Sequence, residues 1–361
     1  MRKKVITIIL LAVNLAIIVA IGFVDPHLKE LGGAFRRLDM PWVIGGFALM
    51  FVFWSMDAFK FLVSLHVTSK VPHRFFSYLK IAIIGQYYGA ITPFATGGQP
   101  MQVYYFSKYG VPGGTATSVL IMQYVILLIC HCLFYVVAFI TKSGLILSRA
   151  AGVFPFAVLG LILILGLLFT VLAMASHNQR LKRILFCGLR LFHRLKIVKR
   201  PLQQWRRLHH AVDDFQKGLR LQQGNWKTMI LLFLLTIIQL TCFFSIPYFV
   251  YRSFVFTPSA LATYHLTPAT WLDMTLVSAF LQVMVSYFPT PGASGASEGG
   301  FYVFYPIFFP APLIFIAMLM WRILSYYLNI VVGGILVFLD GILHIARDRI
   351  PDAGEEPAQN A

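Results

Sequence analysis

"TPGASGASEGG", Thr290–Gly300, is the stretch whose reading decides the architecture. It holds four glycines, one proline and a single carboxylate, Glu298. Taken alone it reads as a surface loop. Its flanks forbid that reading, because Val283–Phe288 before it and Phe301–Phe309 after it are strongly apolar. A polar, charged loop set between hydrophobic segments needs a reason, and the rest of the chain supplies one.

The 361 residues are 58% hydrophobic, 15% aromatic and only 12% charged, with a mean hydropathy of +0.76. A soluble domain carries about twice that charged fraction. Apolar runs fall at roughly 5–24, 41–65, 115–141, 152–175, 228–250 and 311–340, each near the ~20 residues that span a bilayer. Two further apolar stretches, 77–110 and 270–309, are broken mid-way by Pro and Gly. The chain therefore reads as an all-α polytopic membrane protein, with about six full transmembrane helices and two re-entrant helical hairpins. A transmembrane barrel is excluded, since it would show alternating segments of ~10 residues.

The net charge is +17. Thirteen Lys and Arg lie between Arg180 and Lys227, against two acids, Asp213 and Asp214. Short basic loops stay on the cytoplasmic side, so no nucleic-acid partner is implied; the partner class is anionic phospholipid in the membrane. An inside N-terminus, with each broken stretch returning to its own side, puts 23 basic residues inside and six outside, with Arg322 alone embedded. The expected placement is the plasma membrane, with both termini inside. Within 176–227, Leu181, Leu185, Leu189, Phe192 and Leu195 share one helical face, and Leu202, Trp205, Leu208, Val212, Phe215 and Leu219 share another after Pro201. Two basic amphipathic helices in the cytoplasmic interface are expected there. The membrane domain is expected over 1–345 and a disordered tail over 346–361.

The opening "MRKKVITIILLAVNLAIIVAIGF" has a basic start and a long apolar run. That run exceeds the ~7–15 residues of a cleaved signal, so an uncleaved first span is expected. Of the four cysteines, Cys130 and Cys132 flank His131. Adjacent side chains on a helix diverge, so packing is the better reading than a metal pair. No metal, cofactor or catalytic set is expected.

The first broken stretch, 85–106, reads "GQYYGAITPFATGGQPMQVYYF". Thr92-Pro93-x-Ala95-Thr96-Gly97 matches Thr290-Pro291-x-Ala293-Ser294-Gly295 at an offset of 198. At the same offset Tyr104-x-Phe106 matches Tyr302-x-Phe304. The order of spans makes the two hairpins enter from opposite faces. Paired, interrupted segments of opposite orientation point to a midplane transport site. Irregular backbone at that depth survives only where protein or a wet cavity satisfies it. The loop at 290–300 is thus expected to be a re-entrant tip, buried against its twin.

After each tip the helix restarts, at Pro100 in the first hairpin and after Ser297 in the second. Each restart aims unpaired N–H groups and a positive dipole end at the membrane centre. Glycines let a ligand approach that backbone. The outline is an anion site suited to phosphate, and the competing reading is a Gly/Pro kink that only serves packing. The candidate substrate-binding residues are Thr92, Pro93, Gly97, Gly98 and Gln99 from the first tip, and Thr290, Pro291, Gly292, Gly295, Ser297 and Glu298 from the second. Arg322 joins them, because it lies about 11 residues into the last span and a mid-membrane charge is functional by default. Asp57 and Lys60 are assigned to the inner end of their span, paired at i,i+3. Glu298 and Arg322 are therefore expected to lie within salt-bridge reach.

From about residue 5 to 345 the chain resembles the transmembrane region of the lysylphosphatidylglycerol synthase/flippase family. Pro291-Gly292-x-x-Gly295-x-x-Glu298-Gly299 is similar to its Pro-Gly…Gly…Glu signature, and Pro93…Gly97-Gly98-Gln99 to its other Pro…Gly motif. Where relatives are expected to carry an acid and an arginine, this chain has Gln99 and Gln102. The resemblance implies translocation of aminoacylated phospholipid such as lysyl-phosphatidylglycerol, and a role in antibiotic resistance. It also implies a homo-oligomer or a separate transferase as partner. The alternative is a phosphatidylglycerol lysyltransferase or other lipid-linked transferase, with Glu298 and His131 as the available acid or base. The family's tRNA-dependent transferase domain is not expected here, since the longest non-membrane stretch is about 50 residues and such a domain needs at least ~100. A non-transporting scaffold is the third reading.

Overall fold

The computed structural model describes residues 38–68, 74–149, 154–175, 225–254, 268–286 and 288–348. The expected first span at 5–24, the amphipathic helices up to residue 224 and the tail from 349 lie outside the described residues. Among the described residues the fold is all-helical. In chain order the helices are α1 (Met40–Thr68), α2 (Phe75–Ala90), α3 (Gly98–Lys108), α4 (Gly113–Arg149), α5 (Phe154–Ala175), α6 (Trp226–Ser253), α7 (Trp271–Val285), α8 (Ala296–Phe304), α9 (Ala311–Arg322) and α10 (Leu328–Asp348). Four are long and apolar enough to cross a membrane, α9 and α10 counting as one continuous rod: Met40–His66, Gly113–Lys142, Trp226–Ser253 and Ala311–Ile342. The chain is a polytopic α-helical membrane protein.

Local chemistry sets the starts. Pro41, Pro155 and Pro312 each sit in a first turn, where a missing N–H costs nothing. Asn225 caps α6 by accepting from the Thr228 N–H at 3.4 Å. Thr270 and Asp273 form a reciprocal cap on α7: the Thr270 hydroxyl accepts from the Asp273 N–H at 3.1 Å, and the Asp273 carboxylate accepts from the Thr270 N–H at 3.3 Å.

Ion pairs mark the two faces of the bundle. Asp340, near the end of α10, accepts from Lys80 of α2 and from Lys108 at the end of α3, the latter at 3.3 Å. So α2 leaves one face and α3 returns to it. Lys142, one long helix further on, pairs with Asp273 at the start of α7. The second hairpin therefore begins at the opposite face. Phe309, just after α8, packs on Tyr251 and Phe254 at the end of α6, which places the return of α8 at that same second face. The start of α1 joins there too, through the Asp39 N–H donating to the Ser253 carbonyl at 2.8 Å. The two hairpins have opposite orientation.

Four features differ from the sequence reading. The helices restart at Gly98 and Ala296, before Pro100 and Ser297. Pro100 falls third in α3, where its missing N–H is equally harmless. The span at 311–340 is interrupted: Ile323–Tyr327 form one wide π turn directly after Arg322. Such turns insert an extra residue and gather at functional sites. Finally, α10 extends to Asp348, three residues into the stretch assigned to the tail.

Candidate functional site

The repeat read from the sequence is a repeat of backbone. Thr92 and Thr290 are extended, with φ/ψ of −116°/144° and −96°/149°. Each is followed by a one-turn 3₁₀ segment, Pro93–Ala95 and Pro291–Ala293. Phe94 and Gly292 then share a left-handed conformation, φ 53° and 59°. Ala95 and Ala293 follow at φ 54° and 50°. The copies diverge at the next residue, where ψ is −17° at Thr96 and 147° at Ser294. The two turns lie against each other, but the expected burial holds for the second tip only, since residues 93–96 of the first are exposed.

The first tip is held by hydroxyl and backbone contacts. The Thr92 hydroxyl donates to the Tyr88 carbonyl at 2.7 Å and accepts from the Gly97 N–H at 2.8 Å. Gly98 is packed on the backbone of α2, where an added Cβ would lie 2.8 Å from the Gly85 carbonyl oxygen. Pro93 and Gln99 are exposed, whereas Gln102 is buried over Gly85.

The second tip is buried and charged. Glu298 and Arg322 are 1% and 4% exposed. The Arg322 Nε–H donates to Glu298 Oε1 at 2.6 Å, so the expected ion pair is formed. Glu298 Oε2 accepts from the Gly295 N–H at 2.6 Å. Both Arg322 terminal nitrogens donate to the Gly292 carbonyl at 3.2 Å. The Thr290 hydroxyl donates to the Ser294 carbonyl at 2.9 Å. Pro291 and Ser297 are buried beside them. Glu298 is third in α8, where the positive end of the helix favours a carboxylate. The chain's own anion thus occupies the positive end of α8.

Tyr326, in the π turn, joins the two tips, and nothing in the sequence singles it out. Its hydroxyl donates to the Ala90 carbonyl at the end of α2, at 3.3 Å. Its ring lies 5.0 Å from the Arg322 guanidinium and fills the space where a side chain at Gly292 would go, 2.1 Å from the ideal Cβ. Only glycine meets both the positive φ and that contact.

Asp57 and Lys60 form the i,i+3 pair that their spacing leads one to expect, and that pair is buried. They are 8% and 3% exposed and 2.8 Å apart. Lys60 also donates to Gln239 Oε1 at 2.6 Å, and Gln86 donates to Asp57 at 3.1 Å. The Glu298–Arg322 pair is therefore one of two buried pairs among the described residues. A further buried bond, Trp54 Nε1–H to Asn329 Oδ1 at 2.8 Å, ties α1 to α10.

The Cys130-His131-Cys132 triplet is spread over packing contacts. His131 Nδ1 lies 3.0 Å from its own helix's Leu127 carbonyl, and its ring meets Phe244 edge-on. Cys132 donates to the Ile164 carbonyl at 3.7 Å.

Comparison with known proteins agrees with this architecture. A UPF0104 membrane protein of Archaeoglobus fulgidus is 23% identical over 307 residues, covering 84% of this chain and 87% of that protein. The family described as the lysylphosphatidylglycerol synthase TM region matches residues 6–333, which take in both hairpins, both tips and the Glu298–Arg322 pair, and the chain belongs to that family.

Proposed function

We propose that this membrane protein binds a phospholipid at the meeting point of its two tips and moves it between leaflets. The family's description, lysylphosphatidylglycerol synthase TM region, supports aminoacylated phosphatidylglycerol as the substrate class. The plasma membrane, with both termini inside, is the proposed setting. The observation that carries the reading is the buried Glu298–Arg322 pair, set where hairpins from opposite faces touch. Arg322 offers a planar guanidinium that suits a phosphate oxygen pair. The N-terminus of α8 adds N–H groups and a favourable dipole. A lipid phosphate replaces Glu298 on Arg322, and the freed carboxylate receives the cationic part of an aminoacyl head group. That exchange is the differential interaction which opening of a hairpin requires. Thr92, Gly97, Gly98 and Gln99 of the first tip and Thr290, Gly295 and Ser297 of the second complete the proposed binding surface.

The test is reconstitution of the purified full chain into vesicles with fluorescent phosphatidylglycerol, phosphatidylcholine and phosphatidylethanolamine in turn. Loss of inner-leaflet protection from an impermeant quencher is followed. Faster loss than in protein-free vesicles, abolished by Glu298→Gln in folded protein, supports the proposal. Rates equal to protein-free vesicles for all three lipids refute it.

A further inference from the structure

We propose that a cleft on the first face, between α3 and α10, is a separate site that takes the phosphodiester of an anionic phospholipid from the adjoining leaflet. The cleft is an open groove of about 540 Å³, lined by Tyr88, Tyr104, Tyr105, Lys108 and Asp340 over an apolar floor that includes Met101 and Val337. Asp340 accepts from both Lys80 and Lys108. Two ammonium groups against one carboxylate leave a net charge of +1, which one phosphodiester neutralises. Lys108 and Asp340, which line the cleft, are 31% and 21% exposed, so a head group reaches them without unfolding anything, and Lys80, outside the lining, adds its charge through Asp340. Lys108 Nζ sits 5.2 and 5.3 Å from the ring centres of Tyr104 and Tyr105, which hold it at the mouth. Tyrosines at this level suit the glycerol and ester region of a lipid, and an apolar floor suits an amphiphile over a free ion. Lys108 ends α3, roughly 15 Å along the helix from the tip, so the charged mouth stands apart from the Glu298–Arg322 pair, while Tyr88 and Met101 carry the lining toward the first tip. Asp340 is the built-in occupant that the phosphate displaces. Retention here does not require translocation.

The experiment uses the full chain in membranes with photoactivatable phosphatidylglycerol labelled near its head group, phosphatidylcholine of the same design as control, and adduct mapping by mass spectrometry. Phosphatidylglycerol adducts on α3 and α10 are expected to exceed the phosphatidylcholine adducts. Lys108→Gln lowers them about five-fold, the size of one basic residue's attraction to anionic lipid. Asp340→Asn raises them by a similar factor, because it frees both lysines. Where Asp340→Asn does not give monodisperse protein, Lys80→Gln decides, and a fall like that of Lys108→Gln supports the site. Equal labelling by both lipids, adducts absent from α3 and α10, or a fall with folded Asp340→Asn overturns the proposal. Loss of the adduct to millimolar inorganic phosphate makes this a free-phosphate site and overturns the lipid assignment.

Discussion

Replacing Glu298 with glutamine tests whether the central pair holds the fold, moves the lipid, or both. The carboxylate uses its two oxygens on two donors, the Arg322 Nε–H and the Gly295 N–H, each at 2.6 Å. An amide offers one oxygen and one NH₂, so one of these contacts becomes donor against donor. Either Arg322, 4% exposed, keeps only the Gly292 carbonyl as acceptor, or the Gly295 N–H is stranded, and in both cases the guanidinium loses its counter-charge. Breaking one partner of a buried pair costs about 3–5 kcal/mol, and Glu298→Gln should lose that much in unfolding titrations of the purified protein in mixed micelles. Arg322→Met should lose a similar amount, since it strands the carboxylate. The double variant removes both charges, and a charge-free pair of similar volume is often tolerated. Its loss should fall short of the summed single losses by roughly 2–3 kcal/mol. Losses that add within about 0.5 kcal/mol would show that the two side chains do not act together. The double variant also separates the roles. If it folds and no longer scrambles lipid, the charges serve translocation. If it folds and scrambles at the wild-type rate, the pair is structural only and the proposed exchange fails.

Three further outcomes are expected. Gly292→Ala should cost roughly 2–5 kcal/mol, from positive-φ strain and overpacking against Tyr326 2.1 Å away, and an unchanged unfolding midpoint would refute that contact. Gly98→Ala should be more damaging than Gly85→Ala, although an added Cβ would come closer to its neighbour at Gly85 (2.1 against 2.8 Å), because Gly85 meets the movable side chain of Gln102 and Gly98 meets the α2 backbone; equal or reversed losses in the same titration would sink this ranking. In intact cells an impermeant thiol reagent should label a cysteine at Lys142 but not at Lys108, and the reverse pattern would invert the proposed orientation.

Much of the site is legible in the sequence because it is written as a repeat. The 198-residue offset between the TPxA[ST]G motifs reappears as helix starts at Gly98 and Ala296 and as matched positive φ at Phe94 and Gly292. Glu298 and Arg322 pair by depth alone, since embedded opposite charges lower each other's burial cost. Other features depend on how helices rotate against each other, which spacing does not encode. The i,i+3 spacing shows that Asp57 and Lys60 can meet, but their burial is set by Gln86 on α2 and Gln239 on α6. Asp340 looks like an ordinary charge near a span end until Lys80 and Lys108 are brought to it from 260 and 232 residues away. The π turn has no proline or glycine to announce it, because Ile323–Tyr327 read as plain helix.

That turn bears on how a central site could act on both hairpins. The tips share a backbone but not a means of attachment. The first is fixed by hydroxyl bonds and close helix contact, with the uncharged Gln99 and Gln102 beside it. The second is fixed by Glu298 and Arg322. Under the proposed exchange a lipid phosphate would have one strong target, Arg322, and one group to displace, Glu298. Arg322 ends α9 and the π turn follows it directly, so the backbone that carries the guanidinium lacks the regular helical ladder on one side. Tyr326 rises from the same turn to touch Gly292 of the second tip and the Ala90 carbonyl of the first hairpin. Under the proposed exchange, any shift of Arg322 toward a lipid phosphate carries Tyr326 with it. One displacement would then loosen the second tip electrostatically and the first by loss of a hydrogen bond. On that proposal it would be a physical route from head-group capture to hairpins that enter from opposite faces.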